Sequence, residues 1–274
     1  MGKVIVITSG KGGVGKTTAT ANIGSGLAKQ GKRVVMIDAD IGLRNLDLVM
    51  GLENRIVFNL VDVVEGKCRS YKQAIIKDKR FDNLFLMPSA QSREKDAVSP
   101  EQMKSLCDEL KQEFDFILLD CPAGIEQGFR NAVAGADEAV IVTNPEVSSI
   151  RDADRIIGLL EADELSRNMH IIINRIKSDK IKRGDMLSIN DVKDILNIGI
   201  LGVVPEDEKI LTASNKGEPV VLDLNSKAGE AYRHIVQRIL DPEVTLYVPG
   251  QNGGWFNKLK NIFMGKKAEE TVTN

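Results

Sequence analysis

The sequence predicts an α/β protein in which a doubly wound, mostly parallel sheet carries helices on both faces. Short runs rich in Val, Ile and Leu recur along the 274 residues, and longer amphipathic segments separate them. Bare apolar runs suit strands that are covered on both faces, and their alternation with helices is typical of a parallel sheet. A glycine-rich phosphate-binding pattern follows the first run and indicates the P-loop NTPase version of this fold.

The apolar runs predict strands at residues 3–8, 33–38, 84–87, 115–120, 138–143, 170–174 and 199–204. The segments between them predict helices, including those at residues 17–30, 100–113, 149–164 and 190–196. Because strand and helix alternate, successive strands are expected to run in the same direction.

Length and composition fit one large domain. With 42% hydrophobic and 28% charged residues, the chain can bury a sizeable core. The formal net charge of -2 gives no general attraction to nucleic acid, although basic residues between 175 and 183 leave a local patch open. Cys68, Cys107 and Cys121 show no CxxC spacing, which argues against a disulfide framework or a metal cluster. No run approaches the ~20 apolar residues of a membrane span, and the first apolar run is too short for a signal peptide. We therefore expect a cytoplasmic protein.

A P-loop pattern of glycine, four residues, glycine, lysine and threonine occupies residues 10 to 17. Glycines let backbone N–H groups wrap phosphates, Lys16 places a charge on them, and the Thr17 hydroxyl can ligate Mg²⁺. An apolar run precedes the loop and an amphipathic segment follows it, which aims a helix N-terminus at the anion. A nucleotide with Mg²⁺ is the expected ligand.

Carboxylates end two of the predicted strands. Asp38 and Asp40 follow the second run, and Asp120 ends the fourth. Doubly wound sheets bind ligands at the C-terminal ends of their strands, so these acids should face the phosphates. Asp120 has the arrangement that holds Mg²⁺ through its water shell. Ordinary turn acids are the competing interpretation.

The run Lys11-Gly12-Gly13-Val14-Gly15-Lys16-Thr17-Thr18 resembles the deviant Walker A box of the MinD/ParA family, which implies ATP as the nucleotide. The resemblance also implies that Lys11 reaches across an ATP-bound homodimer to the phosphates of the other subunit. It implies that Asp40 positions or activates the attacking water. Lys11 and Lys16 are the other implied catalytic residues. The implied metal site comprises Thr17, Asp38, Asp40 and Asp120.

The same resemblance assigns the nucleotide contacts. They comprise Lys11, Gly12, Gly13, Val14, Gly15, Lys16, Thr17 and Thr18 around the phosphates, and Asn174, Arg175, Pro205, Glu206 and Asp207 on the adenine side. An asparagine at a strand end is also a common turn residue.

Residues 41–47, 144–152, 183–187 and 217–220 resemble the MinD branch of the family more than the ParA branch. This implies a slow ATPase, stimulated by partner and membrane, that helps to place the division septum. It implies that the helix containing Asp152 binds a MinC-type division inhibitor and, where present, a MinE-type activator. By itself, Asp152 could equally be a solvated helical acid.

Three other functions stay open at this point. A ParA-type DNA-partition ATPase would share the phosphate site but would need a basic DNA surface. A nucleotide-gated adaptor would bind ATP with hardly any turnover. Flagellar-number regulators carry similar terminal helices and differ in partner.

The C-terminal residues predict a membrane-targeting segment. Residues 1–248 form the predicted ATPase domain, 249–254 a flexible linker, 255–267 an amphipathic helix and 268–274 a disordered tail. On that helix, Trp255, Phe256, Leu259, Ile262 and Phe263 fall within an arc of about 120°, flanked by Lys258 and Lys260. The pattern is typical of a helix lying on anionic lipid at the inner face of the cell membrane. A terminal helix docked on the protein's own core is the alternative.

The magnitudes indicate why attachment should depend on dimerisation. Burial of five large apolar side chains contributes roughly 7 to 15 kcal/mol, whereas ordering about ten residues costs roughly 10 to 20 kcal/mol. One copy should therefore bind marginally. Two copies on one dimer raise avidity by roughly 10²- to 10⁴-fold.

Overall fold

An eight-stranded sheet forms the centre of the computed structural model, which describes residues 1–94, 96–162 and 168–250. The strands are β1 (Lys3–Thr8), β2 (Val34–Asp38), β3 (Ile76–Lys77), β4 (Leu84–Met87), β5 (Phe116–Asp120), β6 (Glu138–Thr143), β7 (Met169–Ile176) and β8 (Gly199–Pro205). They lie in the order β3-β4-β2-β5-β1-β6-β7-β8. Only the pairing of β3 with β4 is antiparallel within this described sheet. The predicted doubly wound, mostly parallel sheet is confirmed.

Helices cover both faces of the sheet. They are α1 (Lys16–Lys29), α2 (Leu46–Met50), α3 (Leu60–Val64), α4 (Pro100–Leu110), α5 (Gln127–Val133), α6 (Val147–Glu161), α7 (Ser178–Arg183), α8 (Ile189–Leu196), α9 (Lys209–Asn215) and α10 (Lys227–Leu240). Three of them begin after a serine whose hydroxyl accepts a backbone N–H bond: Ser99 before α4, Ser188 before α8 and Ser226 before α10. Such caps satisfy N–H groups that have no partner within the helix.

Alternation along the strands divides the core into two layers. Val4 and Val6 of β1 pack on one side of the sheet with α4, α5, α6 and α8. Ile5 and Ile7 pack on the other side with α1, α2 and α10. The strands are apolar on both faces because both faces are covered.

The structure differs from the predicted elements at identifiable places. The strand predicted to end at Asn174 continues as β7 to Ile176, with irregular pairing between Ile173 and Ile176. The two-residue strand β3 and the long helix α10 are absent from the predicted elements. Strand β3 is too short to give a two-residue alternation, and the buried residues of α10 include the polar Arg233 and His234 as well as Ala228, Tyr232 and Ile235.

The chain after α10 turns back along that helix. The Tyr247 ring stacks on His234 with ring centroids 4.4 Å apart, and its hydroxyl donates to Glu230 at 3.0 Å. The predicted terminal helix, the tail and the linker from residue 251 lie outside the described residues, so the predicted domain boundaries stay predictions. Among the described helices, none has the length and the apolar character that a membrane span requires.

Candidate active site

The P-loop connects β1 to α1 at the point where the strand order reverses. Strand β1 lies between β5 and β6, so the loop emerges at a crevice between the C-terminal ends of neighbouring strands. Gly13 and Gly15 have φ angles of 75° and 105°, a left-handed backbone that favours glycine. Lys11 is exposed at the rim, and its carbonyl accepts a bond from the Ser9 hydroxyl at 2.7 Å. The left-handed glycines and this hydrogen bond fix the course of the loop.

Asn174 fixes the far side of the loop. Its side-chain nitrogen donates to the Val14 carbonyl at 2.7 Å, and its side-chain oxygen accepts from the Arg175 N–H at 3.0 Å. A Cβ on Gly15 would lie 2.4 Å from the Asn174 nitrogen, so the close approach requires a glycine. The side chain assigned to the adenine side thus also braces the phosphate loop.

The first turn of α1 presents the side chains that are predicted to bind the phosphates. Lys16 is 8% exposed and lies at the helix N-terminus, followed by the half-buried Thr17 and Thr18. One turn later, the Thr20 hydroxyl donates to Asp120 at 3.2 Å. Thr20 was not predicted as a site residue, because only the fold brings it to the end of β5.

Two buried carboxylates meet across the sheet. Asp38 ends β2 and Asp120 ends β5, and the two residues are paired in register. Burial raises the pKa of both side chains, and the Asp120 charge raises the pKa of Asp38 further. Hydrogen bonds from Thr17 and Thr20 and the charge of Lys16 lower the pKa of Asp120 but do not cancel the effect of burial. The two carboxylates repel each other when both are ionised, and together they attract a cation.

Asp38 also organises the loop that carries Asp40. Its carboxylate accepts backbone N–H bonds from Asp40 at 3.0 Å, Asn45 at 3.0 Å and Leu46 at 3.1 Å. These bonds leave Asp40 half-buried beside the pair, where its charge raises the pKa of Asp120. Two of the predicted acids are therefore fixed in the crevice, with the third at its edge.

The donor set fits Mg²⁺ bound together with a nucleotide. Carboxylates and a threonine hydroxyl are the hard oxygen ligands that this ion prefers. Among the described residues, no group of three or more His, Cys, Asp and Glu side chains is placed to hold a metal ion. Phosphate and water oxygens would complete the shell, as is usual for Mg²⁺.

The residues predicted for the adenine side lie at the ends of β7 and β8 and in the segment that follows β8. Arg175 has a φ of 57° in the irregular part of β7, and Pro205 ends the neighbouring β8. Glu206 forms an ion pair with Lys177. The Asp207 carboxylate accepts from the Lys209 N–H at 3.0 Å, the Ser226 hydroxyl at 2.7 Å and the Ala228 N–H at 3.1 Å. These bonds give the Asp207 side chain a structural role at the starts of α9 and α10.

Asp152 lies behind the P-loop. A Cβ built on Gly10 would lie 2.2 Å from the Asp152 carbonyl oxygen and 2.6 Å from the Asp152 Cβ. Helix α6, which contains Asp152, therefore packs directly on the first glycine of the loop. No sequence signal indicates this contact, because the two residues are far apart in the chain.

Two of the basic residues between 175 and 183 are paired with carboxylates. Lys177 pairs with Glu206, and Arg183 lies 3.4 Å from Asp179 and 3.2 Å from Asp185. These pairs reduce the attraction that a DNA backbone would feel.

Comparison with known proteins agrees with this geometry. The family model for the CobQ/CobB/MinD/ParA nucleotide binding domain matches residues 5–220. The septum site-determining protein MinD of Bacillus subtilis is 56% identical over 265 residues, covering 96% of this chain and 98% of that protein.

Solved structures give the same assignment. In the MinC:MinD cell division protein complex of Aquifex aeolicus, one chain matches with a TM-score of 0.83 and 51% identity, covering 90% of this chain and 98% of that chain. MinD from Pyrococcus horikoshii, complexed with Mg-ADP, matches with a TM-score of 0.80 and 31% identity over 88% of this chain and 97% of that chain. The chain therefore belongs to the CobQ/CobB/MinD/ParA nucleotide-binding family and, within it, to the septum site-determining MinD ATPases.

Proposed function

We propose that this ATPase dimerises around ATP, attaches to anionic membrane through its C-terminal segment, and recruits a MinC-type inhibitor to help place the division septum. The observation that carries the proposal is the shaped P-loop, with Lys16 at a helix N-terminus, the Asp38–Asp120 pair opposite, and Lys11 exposed at the rim. These are the parts that phosphoryl transfer requires, since it depends on positioning and charge more than on covalent chemistry.

Hydrolysis assigns a separate task to each side chain. Backbone N–H groups of the loop and Lys16 would hold the phosphates, while Thr17 and the Asp38–Asp120 pair would hold Mg²⁺. The ion neutralises charge on the phosphate oxygens when it is bound. Asp40 orients the water that attacks the γ-phosphorus and accepts its proton as the bond to the β-phosphate oxygen breaks. Because the Asp38 carboxylate holds the Asp40 N–H, Asp40 is positioned by the metal-binding residue itself.

The exposure of Lys11 supports ATP-dependent dimerisation. The Ser9 hydroxyl fixes the Lys11 carbonyl, yet the side chain is exposed at the mouth of the crevice. A lysine in that position can contribute its charge to the phosphates of a second subunit. Completion of the site in the dimer would then make ATP the signal for association.

Membrane attachment follows from dimerisation in this proposal. Residues 241–247 run back along α10. Tyr247, which contacts that helix, is therefore an anchored residue of the domain ahead of the proposed membrane segment at 255–267. Each dimer would carry two such segments. Once one segment has bound the membrane, the other is held close to the lipid at a high effective concentration. Monomers bearing ADP would leave the membrane.

The partner surface is proposed to include α6. One relative is a MinC:MinD complex, and its MinD chain covers 90% of this chain. Asp152 is half-buried on α6, next to the P-loop, so a partner there lies close to the nucleotide. A MinE-type activator could use the same helix.

Vesicle sedimentation tests the membrane cycle. The protein is spun with anionic vesicles in ATP, ADP or no nucleotide, beside Lys11→Ala and a truncation after Gly250. Lys29→Ala is the matched control, because Lys29 is an exposed lysine at the other end of α1. We expect ATP-selective binding that Lys11→Ala and the truncation lose and Lys29→Ala keeps. Binding without nucleotide, or none, would remove the membrane switch, and salt-sensitive retention on DNA would then favour a partition ATPase.

A second experiment tests the partner surface. Asp152→Ala and Asp154→Ala are compared for ATP-dependent capture of MinC, since Asp154 is an exposed acid on the same helix. We expect Asp152→Ala to reduce capture at unchanged ATP affinity, and Asp154→Ala to have a smaller effect. Equal capture by both variants and the unmodified protein would exclude the assigned role of Asp152.

A further inference from the structure

A cavity separate from the phosphate site lies near the N-terminal ends of the strands, at the opposite end of the sheet from the P-loop. Its volume is about 450 Å³, and Ile5, Val140 and Leu201 line its floor near the starts of β1, β6 and β8. Leu246, in the segment after α10, contributes to its wall. At roughly 3.3 Å per residue, the five to six residues of a central strand separate this cavity from the phosphate site by about 15 to 20 Å. Ligands of the two sites would not overlap.

The polar lining of this cavity carries an excess of positive charge. Lys3, Lys193 and Arg238 come from three different elements, β1, α8 and α10. Glu138 is the carboxylate in the lining, and it already pairs with Lys3 at 2.8 Å. Within the described part of the chain, neither Lys193 nor Arg238 forms an ion pair. Two positive charges therefore remain uncompensated.

Arg238 is the more constrained of these two cations. Its guanidinium donates to the backbone carbonyl of Val244 and, at 3.3 Å, to that of Ile200. Burial lowers the pKa of Arg238. Carbonyl dipoles orient the guanidinium but do not neutralise it, whereas partly buried charges in proteins are usually paired. Its surroundings thus favour an added anion.

His170 also lines the cavity, and the charges of the lining affect its pKa. Burial is the main cause that lowers its pKa, and the charges of Arg238 and Lys3 lower it further against the opposing effect of Glu138. The second histidine, His234, stacks on Tyr247 and is not in the lining. The chain has two histidines. His170 therefore reports on the cavity, and His234 is an internal reference for a histidine titration.

We propose that this cavity is a phosphate-binding site, which takes a small phosphate ester, either as a free metabolite or as the headgroup of an acidic phospholipid. Lys193 and Arg238 would hold the phosphate oxygens from two sides. The apolar floor would contact the carbon portion of the ester. The size lies within the range of small-molecule sites.

The test is an NMR titration of the histidine side chains with Mg²⁺ and saturating ADP present, so that the P-loop is already occupied. Inorganic phosphate, glycerol phosphate and dihexanoyl phosphatidylglycerol below its micelle concentration are added separately, with chloride at matched ionic strength as the control. An anion beside His170 favours its protonated form, so we expect the His170 pKa to rise while that of His234 stays constant. A stronger response to glycerol phosphate would indicate a free metabolite, and one to the lipid would indicate a headgroup.

Lys193→Gln and Lys216→Gln form the matched pair of variants. Both lysines are exposed, but Lys216 lies outside this cavity. We expect Lys193→Gln to weaken the apparent affinity about tenfold, the effect of losing one charged hydrogen bond, and Lys216→Gln to leave it unchanged. No change in the His170 pKa with any of the three ligands, or equal responses from both variants, would overturn the proposal.

Discussion

Asp38 and Asp120 are directly paired across β2 and β5, and both are buried at the ends of their strands. Burial raises the pKa of both carboxyl groups, and the Asp120 charge raises the pKa of Asp38 further, because ionising one carboxyl group opposes ionising the other. The arrangement is unfavourable in the empty protein and favourable once a divalent cation binds nearby. Function here is gained at the expense of stability, as is common at active sites.

Asp120→Asn should therefore stabilise the nucleotide-free protein while abolishing its activity. Removing one of the two like charges should raise the free energy of unfolding at neutral pH by about 1 to 2 kcal/mol, and loss of a proposed Mg²⁺ ligand should lower ATPase turnover by at least about 10²-fold. Urea unfolding without Mg²⁺ and steady-state phosphate release measure the two effects.

Thr20→Val is the matched control for that experiment. It removes the hydroxyl that donates to Asp120 at 3.2 Å but keeps the acid and the side-chain shape. We expect it to destabilise the protein by about 1 kcal/mol. If Asp120→Asn also destabilised the empty protein, repulsion within the carboxylate pair would not be the dominant effect.

The contact between Gly10 and Asp152 predicts that the first glycine of the loop cannot accept a side chain. Gly10→Ala would place a Cβ 2.2 Å from a backbone oxygen, so either α6 or the loop must move. We expect a loss of about 1 to 3 kcal/mol of stability and weaker nucleotide binding. Gly12→Ala is the control for stability, because nothing lies within 4 Å of its added Cβ. Equal unfolding free energies for the two variants would contradict the packing argument.

The sequence was sufficient for the parts of the fold that rest on local pattern. Strands β1, β4 and β6 have the predicted bounds, because each is a bare apolar run between polar residues. The P-loop was also predictable, since its glycines and its lysine occur in consecutive positions. The positions of these strands and the presence of a P-loop therefore follow from local sequence pattern.

Relations between distant residues could not be predicted in the same way. The bond from Asn174 to Val14 spans 160 residues, and Thr20 reaches Asp120 only after α1 packs beside β5. The use of the Asp207 carboxylate by Ser226 depends on where α10 begins. Such contacts are set by tertiary packing, which leaves no local pattern in the sequence.

Asn174 should affect nucleotide binding through the loop that it braces. Asn174→Ala leaves the Val14 carbonyl without its donor, and we expect a cost of about 1 to 3 kcal/mol, shared between stability and nucleotide affinity. Asn174→Asp keeps the shape but places a carboxylate against that carbonyl and near the phosphates, so its nucleotide affinity should fall further. Calorimetric titration with ADP and Mg²⁺ measures the nucleotide affinity of each variant. A larger affinity loss in Asn174→Ala would indicate that packing, rather than the donated hydrogen bond, is the main contribution.

His234 should make stability depend on pH. Burial is the main cause that lowers its pKa from 6.5 to about 4 in the folded protein, and the Arg233 charge adds to it. A lowered histidine pKa means that the unfolded chain binds the proton more tightly. The stabilising contribution is therefore complete above pH 6.5 and is lost as the pH falls towards 4. The loss should be about 2 kcal/mol at pH 5 and about 3 kcal/mol below pH 4.

His234→Phe isolates this contribution, because it keeps an aromatic ring against Tyr247 and removes the titrating group. The free energy of unfolding is measured by urea titration at pH 7.5 and pH 5 for both proteins. The unmodified protein should lose about 2 kcal/mol more than the variant between these two pH values, while contributions from other groups cancel in the difference. Equal losses in the two proteins would show that His234 is not protonated on unfolding in this range.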